Sequence, residues 1–482
     1  MLHSSIRKEK VKEMEKTKKK KVQIPHVYIL LLIIIAICAA LTYIIPAGKY
    51  DMMTIKTGGI EREIVNPSTF HYITSTPVSL MQYLTAVPRG MQETAQIIFF
   101  IFIVGGSFAV VESTGAIEAG LGTLAKKARG KELVIIPIVM FAFSLGGAII
   151  GMAEETLPFI PIFVALFVAM GYDSITGTAV VFCGAGAGFA GAFMNPFTVG
   201  VAQGISGLPL FSGMTFRIIL YIAMVSLSIG FVMRYAHKVK NNPRLSTMYE
   251  IDIARDDKLD LENLHEFGRK EQAILLVFAA SIVLLVYGVV NWGWYMNEIS
   301  ALFFGMSMVC AFIGRIGFNN YAVSLGKGMR DVASGALVVG FARGILVVLQ
   351  DGSILDTILN TAALALSHVH STVSAFGEYV FQCLLNFLVP SGSGQAAVSV
   401  PILAPLGDLV GVSRQTTCIA FQIGDGISNI FTPTSGYFMA GLALAKIPWE
   451  KWAKWILPLI GLQYLVGALF VIAASVMKLG PF

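Results

Sequence analysis

Long apolar segments separated by short polar ones run along almost the whole chain. The first occupies residues 27–45, and similar segments occupy residues 95–111, 133–150, 218–233, 273–291, 299–314 and 455–477. A helix needs about 20 apolar residues to cross the hydrocarbon core of a bilayer. The pattern therefore predicts an all-α polytopic membrane protein.

The second half of the chain repeats the first. Residues 105–121 resemble residues 343–359, and residues 161–188 resemble residues 401–428 at nearly the same spacing. Prolines, glycines and apolar positions recur in the same order in both halves. Such internal symmetry is typical of secondary transporters built from two structural repeats.

Basic residues indicate how the two repeats are oriented. Cytoplasmic loops of membrane proteins are enriched in Lys and Arg, and residues 1–22 hold nine Lys or Arg against three Glu. We therefore expect a multi-pass protein of the bacterial cytoplasmic membrane with its N-terminus in the cytoplasm. One additional span, residues 273–291, precedes the second repeat. This insertion predicts that the second repeat is inverted relative to the first.

These features divide the chain into four parts. They are a basic cytoplasmic arm (1–23), a first repeat (24–236), a charged cytoplasmic linker (237–270) and a second repeat with one extra span (271–482). Each repeat is predicted to contain a re-entrant hairpin followed by an interrupted helix. The first repeat has them at 133–170 and 174–205, and the second at 371–408 and 413–442.

Polar, glycine-rich stretches lie where hydrocarbon would surround the chain. They are the hairpin tips at 151–156 and 390–395 and the helix breaks at 184–198 and 424–436. Irregular backbone at membrane depth must be buried in protein or line a wet cavity. We therefore predict that the two tips approach the membrane midplane from opposite sides and face the two breaks, where a substrate would bind.

The candidate substrate ligands are the polar side chains of these segments and one arginine. They are Glu154, Glu155, Thr156, Asn195, Thr198, Arg343, Ser391, Ser393, Gln395, Asp425, Ser428, Asn429, Thr432 and Thr434. An ionisable group at membrane depth costs about 2.5–3.5 kcal/mol on insertion scales, so such groups are functional candidates by default. Arg343 has a structural alternative, which is an ion pair with Asp351.

No cofactor is predicted beyond a coupling ion. The chain is 55% hydrophobic and 13% charged, and it has no GxxxxGK[ST] phosphate loop, no CxxC pair and no histidines at metal-site spacing. Its basic arm lacks the pattern of a nucleic-acid-binding segment. Energy is therefore expected from an ion gradient or from exchange. Asn195, Asp425 and Asn429 are the candidate ligands of a coupling cation, and the sequence leaves Na⁺ and H⁺ open.

Two other functions fit parts of the sequence. An intramembrane aspartyl protease would use Asp173 and Asp425, whose surroundings resemble the YD and GxGD motifs, but the first glycine of the second motif is replaced by Gln422. Ser391 and Ser393 lack a membrane histidine to serve as a base. A channel is the second rival. The sequence favours a transporter over an enzyme.

Residues 390–452 resemble the YfcC family, also called C4-dicarboxylate anaerobic carriers, within the ion transporter superfamily. The stretches at 24–51 and 151–162 resemble it as well, so the similarity spans nearly the whole chain. The resemblance implies a transport domain that moves against a scaffold by an elevator mechanism. It also implies a homodimer.

The family resemblance leaves the substrate open, because members are assigned to dicarboxylates or to arginine–ornithine exchange. Near the predicted site there are three acids, Glu154, Glu155 and Asp425, and one base, Arg343. A basic amino acid would bring its own compensating positive charge, whereas a dicarboxylate would first need protons or sodium to neutralise the acids. We therefore expect a basic amino acid such as arginine or ornithine, with an ion-coupled C4-dicarboxylate carrier as the alternative.

Overall fold

The computed structural model of the chain describes residues 27–57, 60–117, 119–120, 132–255, 268–292, 294 and 296–480. Most of these residues are helical. Five helices among them are long and apolar enough to cross a membrane. The predicted basic arm and the middle of the predicted linker lie outside the described residues.

The helices occur in a similar order in the two halves. In the first half they are α1 (Val27–Leu41), α2 (Leu80–Glu93), α3 (Ala95–Glu112), α4 (Glu132–Leu145), α5 (Phe159–Ala169), α6 (Ser174–Ala190), α7 (Val199–Ile205), α8 (Met214–Asn241) and α9 (Tyr249–Ile253). In the second they are α10 (Arg269–Trp292), α11 (Met296–Gly314), α12 (Phe318–Asp351), α13 (Leu355–Leu366), α14 (Ser371–Leu388), α15 (Gly392–Val410), α16 (Arg414–Ser428), α17 (Gly436–Leu444) and α18 (Trp449–Val476). The series α4–α8 and α14–α18 each consist of a hairpin, an interrupted helix and a long helix.

Two small antiparallel sheets depart from the all-α prediction. Strand β1 (Gly48–Lys49) pairs with β4 (His71–Tyr72), and β2 (Met52–Thr57) pairs with β3 (Ile60–Val65). Strands of two residues are too short to leave an alternating pattern, but the Gly58–Gly59 pair between the two six-residue stretches was a hairpin signal that the analysis of the sequence missed. The first sheet is attached to α13, because the Tyr50 amide donates to the Asp356 carboxylate at 3.0 Å.

Helices α1, α2, α3, α10, α11 and α12 pack into one body, which we call the α12 body. Helix α12 has 34 residues, which corresponds to about 51 Å at 1.5 Å per residue. Small residues bring its backbone close to its neighbours. A Cβ atom at Gly90 would lie 2.4 Å from the Gly340 carbonyl oxygen, and one at Gly328 would lie 2.5 Å from that of Gly105.

The two hairpins, the two interrupted helices, α8 and α18 form a second body, which we call the hairpin body. Glycine again permits the closest approaches, since a Cβ atom at Gly188 of α6 would lie 1.9 Å from the Ser144 carbonyl oxygen of α4. Helix α17 connects the two bodies by packing against α12 and α3. At this junction a Cβ atom at Gly436 would lie 3.0 Å from the Val339 side chain.

The two interrupted helices begin at opposite ends of α18. Near the start of α18, the Lys451 ammonium donates to the backbone of segment 243–255. In the same segment Asp252 accepts from the backbone amide of Ser174 at the start of α6, at 2.9 Å. Ser413, which caps α16, donates to a backbone carbonyl just beyond the other end of α18. Helix α18 has 28 residues, so these two starting points lie about 42 Å apart along it.

Part of the predicted linker is folded onto the hairpin body. Segment 243–255 contains a short 3-10 turn and α9, and the buried Asp173 at the start of α6 accepts from the Ser246 hydroxyl at 2.6 Å. The Tyr235 hydroxyl donates to the same carboxylate. This part of the linker therefore belongs to the packed structure rather than to a solvated connection.

Candidate functional site

The first hairpin tip lies against the first helix break. Helix α4 ends in a single π-helical turn, Gly146–Ile150, and Gly151 then takes a left-handed conformation with φ of 70°. A side chain at Gly151 would be strained there, and its Cβ atom would also lie 2.6 Å from the Asn195 side-chain oxygen. The backbone amide of Met194 donates to the carbonyl of Ala148 at 3.2 Å. The tip and the break are therefore in direct contact.

The second hairpin tip contacts both helix breaks. Ser391 caps the start of α15 by accepting from the Gly394 amide at 3.3 Å. A Cβ atom at Gly392 would lie 2.5 Å from the Thr198 methyl group and 3.1 Å from Asp425 Oδ2. Only glycine fits this position. The structure thus brings Thr198 of the first break, Asp425 of the second interrupted helix and the second tip together.

Asp425 is completely buried at this meeting point. Its Oδ1 accepts from Asn386 Nδ2 at 2.7 Å and from Asn429 Nδ2 at 3.4 Å. Its Oδ2, the oxygen nearest Gly392, has no hydrogen-bond partner in the described part of the chain. One side of the carboxyl group is therefore held in place, and the other side is available to a ligand.

Two further buried polar atoms at the first break lack partners among the described residues. They are Asn195 Nδ2 and Thr198 Oγ1. Asn195 Oδ1 is engaged by the amides of Phe197 at 2.9 Å and Thr198 at 3.3 Å, which fixes the orientation of its side chain. A buried polar group without a partner costs about 1–3 kcal/mol. Together with Asp425 Oδ2, these atoms indicate a place for a substrate, a cation or water.

The polar residues of the first tip have different surroundings. The Glu155 carboxylate accepts from the Ala153 amide at 3.0 Å, and the Thr156 hydroxyl donates to the Ala153 carbonyl at 2.5 Å, so both stabilise the tip itself. Glu154 lies close enough to Tyr437 to interact with it electrostatically, and so does Asp425. Of the two tip glutamates, Glu154 is therefore the one that lies near Tyr437 of α17.

Among the remaining candidate ligands of the second repeat, two form hydrogen bonds to neighbouring groups of the protein. Ser428 bonds to the Tyr464 hydroxyl of α18 at 2.9 Å, and Thr432 donates to the Ser428 carbonyl at 3.1 Å. The hydroxyl of Thr434 is buried and has no partner among the described residues. Ser393 is half-buried in the first turn of α15.

Arg343 lies apart from this cluster and is bound by an unexpected partner. Its Nε donates to Glu93 Oε2 of α2 at 2.7 Å, and Asp351 is bound by Arg89 of the same helix. The alternative of an Arg343–Asp351 pair is therefore wrong. The Arg343 side chain therefore contacts α2 within the α12 body rather than the tip cluster.

Helix α14 supplies polar groups that the analysis of the sequence missed. Ser374, Glu378, Gln382 and Asn386 are spaced by four residues, share one face of the helix and are all fully buried. Gln395 Nε2 donates to Gln382 Oε1 at 2.7 Å, and Asn386 Nδ2 donates to Gln395 Oε1 at 2.9 Å. The four-residue spacing within an apolar helix was the signal that could have revealed them.

At the breaks, backbone carbonyl groups accept hydrogen bonds from side chains of neighbouring helices. Trp452 and Trp449 of α18 donate their indole N–H groups to the carbonyls of Ile430 and Phe431, each at 3.0 Å. Gln422 of α16 donates to the carbonyl of Phe189, near the end of α6, at 2.6 Å. These bonds hold irregular backbone at membrane depth without loss of hydrogen bonding.

Comparison with known proteins identifies the family. The family model of the C4-dicarboxylate anaerobic carriers, DcuC, matches residues 24–476. The chain belongs to this carrier family. It is 37% identical over 472 residues to YfcC of Escherichia coli K12, whose name proposes a basic amino acid antiporter; the match covers 90% of this chain and 93% of that protein. It is 30% identical over 428 residues to an uncharacterized protein of Haemophilus influenzae, with 88% and 84% covered.

Among solved structures, the YdaH transporter of Alcanivorax borkumensis is 18% identical, with a TM-score of 0.42 and with 95% of this chain and 100% of that chain covered. A similarity this low supports no inference about the site. The family itself consists of carriers, so the resemblance seen in the sequence is confirmed. This carrier acts on small molecules in a membrane and is not an enzyme, which excludes the aspartyl protease.

Proposed function

We propose that this carrier exchanges basic amino acids, such as arginine and ornithine, across the bacterial cytoplasmic membrane. The observation that carries the proposal is the charge of the cluster where tips and breaks meet. Asp425 and Glu154 both lie near Tyr437, and within the described residues neither acid has a hydrogen bond or an ion pair with a Lys, Arg or His side chain. A cationic substrate would supply the missing positive charge.

Arg343, the candidate base near the predicted site, does not balance the charge of these acids. Arg343 is bound to Glu93 at 2.7 Å in this conformation, so its charge is already neutralised. For the carboxylate of an amino acid, the first amides of α15 at Gly392 and Ser393 are suitable donors. The first four amides of a helix have no partner within the helix, and its N-terminus carries partial positive charge. Arg343 would join them only after release by Glu93.

The alternative substrate is a C4-dicarboxylate, which the family name suggests. A doubly negative ligand would enter this acidic cluster only if protons or a bound cation first neutralised it. Asn195, Asp425 and Asn429 remain the proposed ligands for such a cation. The orphaned oxygens Thr198 Oγ1 and Asp425 Oδ2 fit the preference of Na⁺ for oxygen ligands.

The arrangement of the two bodies supports an elevator-type movement between inverted repeats. Helices α6 and α16 begin at opposite ends of α18, as expected if the repeats are inverted. The hairpin body contacts the α12 body through α17, whose sequence GYFMAGLAL is apolar and without charge, so it can slide without breaking ion pairs. The family resemblance adds a homodimer.

Site-directed labelling tests the inverted topology. His370, just before the second hairpin, and Asn242, just after α8, are both exposed. Cysteines placed at these two positions should react with a membrane-impermeant reagent from opposite sides of the membrane, Asn242 from the cytoplasm. Labelling of both from one side would contradict the inverted arrangement.

Exchange in proteoliposomes tests the substrate. Vesicles loaded with ornithine should take up labelled arginine, whereas empty vesicles should not, and transient accumulation above equilibrium would distinguish a carrier from a channel. Sodium-driven succinate uptake that does not respond to arginine would contradict the proposal and favour the dicarboxylate alternative.

A further inference from the structure

A second acidic group is buried in the hairpin body away from the cluster around Asp425. Glu378 of α14 is completely buried, and neither of its carboxyl oxygens has a hydrogen-bond partner in the described chain. The Thr417 hydroxyl of α16 lies close enough to be a weak donor to it, but without the geometry of a full hydrogen bond. An ionised carboxylate is costly to bury without donors or a cation. A carboxylic acid that holds its proton is far less costly.

Glu378 lies between the surface of the protein and the candidate substrate site. It is seven residues from Ser371, where α14 begins, and eight residues from Asn386. These separations correspond to about 10 Å and 12 Å along the helix. Ser374 occupies the turn between Glu378 and the surface on the same helix face. A polar face thus leads from the start of α14 past Glu378 to the cluster.

Hydrogen bonds connect the turn next to Glu378 with Asp425. Gln382, one turn further along α14, accepts from Gln395 at 2.7 Å. Gln395 accepts from Asn386 at 2.9 Å, and Asn386 donates to Asp425 at 2.7 Å. A rearrangement of Asp425 when a ligand binds would therefore reach the helix face that carries Glu378.

In the described structure, no positively charged side chain contacts the carboxyl group of Glu378. Cys418 of α16 lies near Glu378, Arg217 of α8 and Arg414. Arg414 is paired with Asp408 of α15 at 2.7 Å. Arg217 is fully buried, and its Nε and Nη1 have no partner among the described residues. On α18, Tyr464 bonds to Ser428. Of the two arginines near Cys418 in the described structure, Arg217 is thus the one without an ion-pair partner that could balance an ionised Glu378.

We propose that Glu378 is a proton-binding site of this carrier, separate from the substrate site. In the present conformation the carboxyl group holds a proton. In a conformation that hydrates the α14 face, it exchanges that proton with water at the start of α14, and no other bond changes. The proposal rests on the proposed alternating movement of the hairpin body, but it does not depend on which substrate is carried.

Infrared difference spectroscopy tests the protonation directly. The spectrum of the purified wild-type protein at neutral pH should contain a carboxylic-acid carbonyl band that disappears in Glu378→Gln. The matched control Asp331→Asn removes an exposed carboxylate of α12, in the other body, and should leave that band unchanged. A band that is unchanged in Glu378→Gln would show that Glu378 is ionised and would overturn the proposal.

Transport measurements test whether the proton is used. In proteoliposomes, we expect a pH gradient to increase substrate flux relative to flux at equal pH in the wild type and in Asp331→Asn. The ratio of the two fluxes should fall to unity in Glu378→Gln. A wild-type ratio in that variant, or a ratio of unity in the wild type, would overturn a coupling role. If arginine is the wrong substrate, no variant transports it, but the infrared band remains.

Discussion

Two neighbouring tryptophans of α18 allow a direct test of how the second helix break is stabilised. Trp452 is fully buried and donates to the Ile430 carbonyl at 3.0 Å. Trp455, one turn on, is also buried, but its indole N–H has no partner in the described chain. Replacing either residue by Phe removes the same atoms, so the loss of packing is similar in the two variants. Their difference isolates the hydrogen bond.

Apart from the loss of packing, the two substitutions should change the free energy of unfolding in opposite directions. Trp452→Phe leaves a buried carbonyl without its donor, which costs about 1–3 kcal/mol beyond the packing loss. Trp455→Phe removes an unsatisfied N–H and recovers a similar amount, about 1–3 kcal/mol, which offsets its packing loss. We therefore expect the free energies of unfolding of the two variants to differ by about 2–6 kcal/mol, with Trp452→Phe the less stable.

Thermal unfolding of the purified variants in one detergent measures this difference. The apparent Tm of Trp452→Phe should lie clearly below that of Trp455→Phe, which should remain close to the wild type. Because the lost bond secures the break beside Asp425, we also expect slower exchange in Trp452→Phe only. Equal losses of stability in both variants would refute the reasoning and reduce the role of Trp452 to packing.

Three further predictions concern packing, the polar cluster and Arg343. Gly188→Ala should destabilise the protein by about 1–3 kcal/mol, because its Cβ atom would lie 1.9 Å from the Ser144 carbonyl oxygen. As a control, Gly230→Ala places a Cβ atom with no other atom within 4 Å. It should be neutral or stabilising by up to about 1 kcal/mol in the same thermal assay. Asn386→Leu should cost about 1–3 kcal/mol in net terms, because two buried oxygens lose a donor while the unpartnered Asn386 Oδ1 is removed. Ser374→Ala removes a buried hydroxyl without a partner on the same helix, so it should stabilise the protein by up to about 1–3 kcal/mol. Glu93→Gln releases the guanidinium of Arg343, so arginine should bind more tightly to this variant and more weakly to Arg343→Gln. The stability of either variant should change by less than about 1 kcal/mol. Unchanged affinity for arginine in both variants would make the ion pair purely structural.

The positions of the hairpins and breaks were accessible from the sequence because their signals are local. The predicted hairpin at 371–408 corresponds to α14 and α15. The predicted break at 184–198 corresponds to the end of α6 and the loop before α7. Glycine, proline and polar residues within apolar surroundings mark these places wherever the rest of the chain lies. The same local signals led to Asp425, Asn195 and Thr198.

Features that depend on distant partners were not accessible in this way. Helix α12 is continuous over 34 residues, but its charged residues divide the apolar pattern. Arg343 was assigned Asp351 as a partner because that residue is near in sequence, whereas Glu93 lies 250 positions away. Asn386 was missed because an isolated amide in an apolar helix acquires meaning only when Asp425, 39 positions later, is placed beside it.

The most direct test of the account is the binding of arginine to the purified protein at equilibrium, measured by isothermal titration calorimetry. We predict that the wild type and Asp408→Asn, which alters an exposed carboxylate on α15, bind arginine with the same affinity. Asp425→Asn should retain its fold by circular dichroism and show no measurable binding, because the buried carboxylate at the meeting point of tips and breaks is lost. Binding of arginine to Asp425→Asn with wild-type affinity would contradict the central claim that this cluster is the substrate site.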